Sequence, residues 1–159
     1  MKKMKKIIFG ILGLTIVFTS CNNPKDGAIN SNIAEESYIA PGELDEYYAF
    51  MSGGFSGQLA VHGLPSGRLF KVIPVFSQDA EKAYGYNEET KSMLNTSFGF
   101  IPWGDAHHPD LSQTNGEIDG RWCFINENNT PRIARIDLTT FETVEIIELP
   151  NSAGNHSSP

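Results

Sequence analysis

Between Arg121 and Leu149 three strand-length segments follow one another with only short turns between them: Arg121 to Asn126, Arg132 to Leu138 and Glu142 to Leu149. Asn128-Asn129-Thr130-Pro131 and Thr139-Thr140 supply the turns, and Val144, Ile146, Ile147 and Leu149 alternate imperfectly along the last segment. Upstream, Tyr47 to Met51 is a strand candidate stopped by Ser52-Gly53-Gly54. Gln58 to Leu64 and Arg68 to Phe76 are two more, separated by Pro65-Ser66-Gly67. Asn115-Gly116 and Asp119-Gly120 read as further turns. Only Gln78 to Leu94 leans towards helix, and Gly85 weakens it. Short strands in meandering order with Gly and Asn turns predict an antiparallel, all-β structure. The run from Gly120 to Pro150 looks like three strands of one propeller blade. A propeller closes with several blades of about 40–45 residues each, so this chain has room for two or three. Two architectures follow: a small β-sandwich, or the leading blades of a longer protein.

A chain of 159 residues holds one ordinary domain, and 40% hydrophobic with 19% charged residues is globular, which argues against a coiled coil or a wholly disordered chain. The first 21 residues stand apart. Lys2, Lys3, Lys5 and Lys6 precede an apolar run from Ile7 to Phe18, then Thr19, Ser20 and Cys21. The run is short of the roughly 20 residues of a membrane-spanning helix, and its order is that of a secretory signal. The small residues ending at Cys21 resemble a bacterial lipoprotein box, with Phe18 where such boxes more often carry Leu. That reading makes Cys21 the lipidated amino terminus and implies export with a lipid anchor in a periplasmic setting. It also leaves Cys123 unpaired, so no internal disulfide is expected. Residues 22–43 are polar and lack periodicity, as in a tether, which assigns 44–159 to the folded part.

Four of the 12 basic residues lie in the leader, which leaves 8 against 19 acids. Such a surface repels phosphate backbones and argues against nucleic-acid binding. Two cysteines cannot build a Cys-based zinc cage.

The chemistry-bearing residues are the histidines. His62 sits inside a strand candidate and receives no role. His107 and His108 are adjacent in GDAHHPDLS. On a regular strand neighbours point to opposite faces, but Gly104 and Pro109 argue for an irregular backbone that aims both rings one way. Imidazole suits copper, zinc, iron or nickel, and Asp105 is placed to accept the N–H of a ligand ring. His156 lies in a Gly- and Pro-flanked loop directly after a strand. With the pair it offers three nitrogen donors from two loops about one blade apart. Other constellations fail. Ser52, Ser56 and Ser66 lack the strand-turn-helix context of a nucleophile elbow, and SGGFSG has no Lys at P-loop spacing. Trp103, Trp122 and the Phe residues read as core or turn packing.

The segment YYAFMSGGFSGQLAVHGLPSGRLFKVIPVF resembles the start of the catalytic domain of the nitrous-oxide reductase family. GDAHHPDLSQTNGEIDGRWCFINENNTPRIARIDLTTFETVEIIELPN and AGNHSSP resemble its next portion. The resemblance implies an amino-terminal part of a seven-bladed β-propeller that carries a sulfide-bridged four-copper cluster held by seven histidines. His107, His108 and His156 match three of them, and Asp105 matches a carboxylate that supports a ligand ring. The implied reaction is the two-electron reduction of nitrous oxide to dinitrogen and water. A cytochrome c or a cupredoxin would be the outside electron donor. Electrons would pass through a dinuclear copper centre in a distal domain of the partner subunit of a homodimer. The remaining four cluster ligands, the calcium positions and the electron-entry domain are absent from these 159 residues, so the resemblance makes this an amino-terminal fragment, inactive by itself. No twin-arginine pair occurs in the leader, and the secretory, lipoprotein-type leader resembles the family's second branch. Ala106 stands where other members carry Cys.

Two readings compete with this one. The first is a non-enzymatic surface lipoprotein whose propeller binds a ligand or partner. The second is a mononuclear zinc or copper site using the same three histidines.

Overall fold

The computed structural model describes residues 32–152; the leader with Cys21, residues 22–31 of the polar stretch, and His156 lie outside the described residues. A one-turn helix α1 (Ile33–Glu36) opens this part. Strands β1 (Tyr47–Ser52), β2 (Gln58–Leu64) and β3 (Leu69–Pro74) form one antiparallel meander in that order. An excursion follows with α2 (Glu88–Met93) and a small hairpin, β4 (Asn95–Thr96) with β5 (Gly99–Phe100). Strands β6 (Ala106–Thr114), β7 (Glu117–Glu127), β8 (Arg132–Asp137) and β9 (Glu142–Glu148) then make a second, four-stranded antiparallel meander. The all-β expectation holds. Among the described residues no ring of blades closes; the arrangement is two sheets with a shared core.

That core follows from the period-2 pattern. Leu59 and Val61 on β2 and Ile73 on β3 point inward, and Val75 and Phe76 continue past β3. They meet Ala106 on β6, Cys123 and Ile125 on β7, and Ala134 and Ile136 on β8, all without solvent exposure. Each large apolar side chain so buried contributes about 1.5–3 kcal/mol. The Thr143 hydroxyl donates to the Pro74 carbonyl at 2.8 Å, joining β9 to β3, while β1 lies against β6. Cys123 is a free thiol within this core; burial, with the nearby Asp110 charge, pushes it up to about 12.

Two expectations are corrected. Only Glu88–Met93 of the helix-leaning stretch is helical. Ala83 and Gly85 adopt left-handed backbone at φ 54° and 78°, which no α-helix accommodates, and Asn87 caps what remains by accepting from the Thr90 amide. Asn115-Gly116 does turn the chain, with φ 54° and 83°, as a two-residue hairpin needs. Asp119-Gly120 does not: it lies within β7, where the pairing slips between Leu111 and Gln113 and the Asp119 carboxylate accepts from Ser112, Thr114 and the Arg121 amide. Of the aromatic residues read as core or turn packing, Phe55 and Phe98 stand exposed in turns, and Trp103 is 61% exposed.

An ion pair holds the entry to β1 onto the β2–β3 turn. The Asp45 side chain, 1% exposed, accepts from Arg68 Nε at 2.8 Å and from the Ser66 amide at 3.0 Å, while Arg68 Nη2 donates to the Glu43 carbonyl at 2.8 Å. Burial raises the Asp45 carboxyl, but hydrogen bonds from Ser66 and Arg68, with the Arg68 charge, outweigh it and hold the group below its usual range. A depressed folded value means that stability is present above the unfolded value of about 3.9 and is lost as pH falls through the folded one. Denaturation midpoints of the parent and Asp45→Asn are therefore expected to differ at neutral pH and to converge well below about pH 3.9. A gap that persisted unchanged in acid would assign the effect to packing instead.

Candidate metal centre

The site is built where β6 begins. His107 pairs with Asn126 across the sheet, yet the next registered pair is Asp110 with Phe124, so β6 carries one extra residue. That bulge is centred on His108, whose φ of 48° is left-handed. A bulge of this kind abolishes the alternation that would send adjacent side chains to opposite faces. The His107 and His108 rings consequently lie with centroids 5.8 Å apart and planes tilted by 42°. The sequence pointed to an irregular backbone here, and the structure puts the irregularity inside a strand. Gly104 plays a different part from the one expected. Its backbone is not left-handed, but a Cβ would stand 2.4 Å from Glu127 Oε1 and 2.7 Å from Phe76 Cβ. It is glycine because of close approach.

Asp105, 2% exposed, sits beneath the pair. Its Oδ1 lies 2.9 Å from His107 Nε2. A carboxylate on Nε2 makes that nitrogen the N–H donor, so in the neutral ring Nδ1 carries the lone pair. Asn128 steadies the aspartate: its amide donates to the Asp105 carbonyl at 2.9 Å and its Nδ2 lies 3.5 Å from Oδ2. On the other side the Ala106 amide donates to the Gly54 carbonyl at 2.9 Å. The glycine-rich SGGFSG loop thus has a structural task beside the site. Gly57 supports it from below, its carbonyl accepting from the Val75 and Phe76 amides.

Two imidazoles bound at about 2 Å to one ion, or to neighbouring ions of a cluster, place their centroids about 4.5–6.5 Å apart, so the observed spacing fits. The chemistry of the donor set would suit such an ion as well: two imidazoles, one of them with a buried carboxylate on one ring nitrogen. Among the described residues no group of three His, Cys, Asp or Glu side chains converges as a metal site. The structure brings Asp105 against His107 and the His108 ring beside that of His107, while His156 lies outside the described residues. His62 lies on β2 with its Nδ1 3.3 Å from the Gly67 carbonyl. Sequence reasoning missed Asn128, Glu127 and Arg132, which cluster around the loop. NENNTPR reads as a polar turn, and only the fold reveals that Glu127 and Arg132 are buried.

No family model matches the chain. It is 39% identical over 122 residues to a nitrous-oxide reductase of Stutzerimonas stutzeri, a match covering 77% of this chain and 19% of that protein. A nitrous-oxide reductase of Pseudomonas fluorescens is 42% identical over 119 residues, covering 75% and 18%. One from Ralstonia nicotianae is 36% identical over 156 residues, covering 91% and 24%. The chain thus spans about a fifth of the length of the curated relatives it matches.

Proposed function

The chain is a relative of the nitrous-oxide reductases, and on that premise we propose that it supplies nitrogen ligands to a copper centre that reduces nitrous oxide. The observation that carries the reading is the adjacent histidine pair, held 5.8 Å apart by a strand bulge over a buried aspartate. A copper centre held there would supply redox chemistry: two electrons taken from an outside donor and passed, with two protons, to nitrous oxide, giving dinitrogen and water. His107 offers Nδ1, because Asp105 holds its Nε2–H and prevents the ring from turning. His108 presents its ring beside it by virtue of the left-handed backbone. His156, which follows β9 in the sequence, is the third donor in this reading. Neutral imidazoles tolerate copper in two oxidation states without adding charge, and a sheet edge anchored by SGGFSG holds the ligands rigidly.

The same proposal takes the two meanders as neighbouring blades of a larger propeller. The outer face of the first sheet supports it. Tyr47, Ala49 and Met51 on β1, Ala60 and Leu64 on β2, and Leu69 and Val72 on β3 all face away from the shared core. Tyr47 is 63% exposed and Leu69 56%, an apolar surface where a solvated antiparallel sheet carries polar residues. A stack that continues beyond this sheet accounts for it. The leader reading, with a lipid on Cys21 and a periplasmic location, completes the proposal.

The test is copper content and nitrous-oxide consumption of the purified full-length protein, supplied with a chemical reductant under anaerobic conditions. A protein that binds no copper, or binds copper and leaves the gas untouched, refutes the reading. Asp105→Asn is expected to keep the fold and the ligand atoms but to lower copper affinity or turnover about 10–100-fold, as loss of a ligand's outer partner does. Parental values in that variant would remove Asp105 from the site.

A further inference from the structure

We propose that the buried Glu127–Arg132 ion pair is a positioning device for the histidine-bearing start of β6 and contributes little to the stability of the fold. Both side chains are at most 1% exposed. Arg132 Nε meets Glu127 Oε2 and lies 2.8 Å from Thr130 Oγ1, Nη1 reaches the Ile101 carbonyl at 3.4 Å, and the guanidinium stacks 5.2 Å from the Phe76 ring centroid. Glu127 Oε1 and Arg132 Nη2 are buried with no hydrogen-bond partner among the described residues. An ion pair buried to this degree bears a desolvation penalty that its mutual attraction does not clearly repay, and apolar residues of similar volume commonly serve stability as well. Its stability value is therefore a poor reason for its presence.

Its contacts give a better one. Ile101 and Gly104 belong to the loop that enters β6, and Thr130 belongs to the turn that leaves β7. Gly104 rests on Glu127 so closely that a Cβ would stand 2.4 Å from Oε1. The next residue is Asp105, which orients His107 and takes the backbone N–H of Asn128, the neighbour of Glu127. From the opposite side Gly57 closes on the Gly104 carbonyl, where a Cβ would stand at 3.0 Å. Arg132 thus fixes Glu127, Glu127 seats Gly104, and the seated loop delivers the Asp105 carboxylate to His107 Nε2. An apolar pair could fill the volume but could not hold the Ile101 carbonyl.

The experiment uses the copper-free full-length protein with selectively 15N-labelled histidine, the His107 signals being identified by their loss in His107→Gln. The parent is expected to show a single Nε2–H tautomer at His107. In the double variant Glu127→Met, Arg132→Met the denaturation midpoint is expected to match or exceed the parent's, while His107 becomes a mixture of tautomers. Glu127→Gln, which keeps the acceptor and the shape, is expected to restore the single tautomer. A double variant that folds and keeps the parental tautomer overturns the proposal, as does one that folds but unfolds at clearly lower denaturant. Should it not fold, Arg132→Lys decides: it keeps charge and stem but loses the planar fork, and a single Nε2–H tautomer in it overturns the proposal. Copper binding is read in parallel and is the only arm that rests on the copper reading above. A fall of about tenfold or more is expected. Mixed tautomers with unchanged copper affinity would uphold the positioning role and refute the copper reading.

Discussion

Replacing His107 by alanine in the full-length protein is expected to abolish assembly of the copper centre at this site and, with it, nitrous-oxide reduction. The imidazole is half of the adjacent pair and the one whose orientation is set by a buried carboxylate, so its loss removes a donor and leaves Asp105 buried without its partner. Unlike Asp105→Asn, no weaker version of the same ligand remains. The measurement is copper per polypeptide together with the visible spectrum. The dinuclear centre that the family resemblance assigns to another domain should keep its spectrum in the variant. Loss of both signals would point to misfolding, and an unchanged copper content would end the case for His107 as a ligand.

Gly57→Ala is expected to be strongly destabilising. Gly57 has φ of 66°, a conformation that costs an L-residue roughly 1–2 kcal/mol. A Cβ there would stand 2.9 Å from the Phe76 carbonyl oxygen, 2.9 Å from Ser77 Cβ and 3.0 Å from the Gly104 carbonyl oxygen. Two of those three neighbours are backbone, tied into the β2–β3 core and the loop entering β6, so they cannot yield cheaply. Overpacking of that kind adds about 1–3 kcal/mol, which brings the expected loss to about 2–5 kcal/mol. Chemical denaturation measures it directly. Gly67→Ala is the control: it shares a left-handed φ of 69° but has open space around its Cβ, so only the conformational part should appear. Equal losses at the two positions would show that the crowding around Gly57 is relieved by movement of the surrounding loops.

These residues also show where reading from sequence succeeds and where it stops. Gln58–Leu64 was legible to its ends, because Leu59 and Val61 alternate with half-exposed partners and turn residues flank the run. The strand β6 was not. Its pattern AHHPDLSQT carries a proline and only one large aliphatic residue, and its pairing with β7 is interrupted twice by register shifts. Neither is a local propensity that a sequence displays. SGGFSG was dismissed for lacking a P-loop lysine, and its actual task, bridging Gly54 to Ala106, depends on a partner about fifty residues away in the chain.

The sequence alone determined the all-β class, the turn positions at Pro65-Ser66-Gly67 and Asn115-Gly116, and which histidines stand as candidate nitrogen donors. Those properties are local: side-chain period, left-handed tolerance and imidazole chemistry are all written within a few residues. Tertiary structure alone decided that β6 bulges at His108, that Asp105 engages His107 through Nε2, and that Glu127 and Arg132 are buried together beneath the loop. Each of these arises when segments far apart in sequence are pressed into one core, where excluded volume and the need to satisfy buried polar atoms choose among conformations that the isolated chain leaves nearly equal.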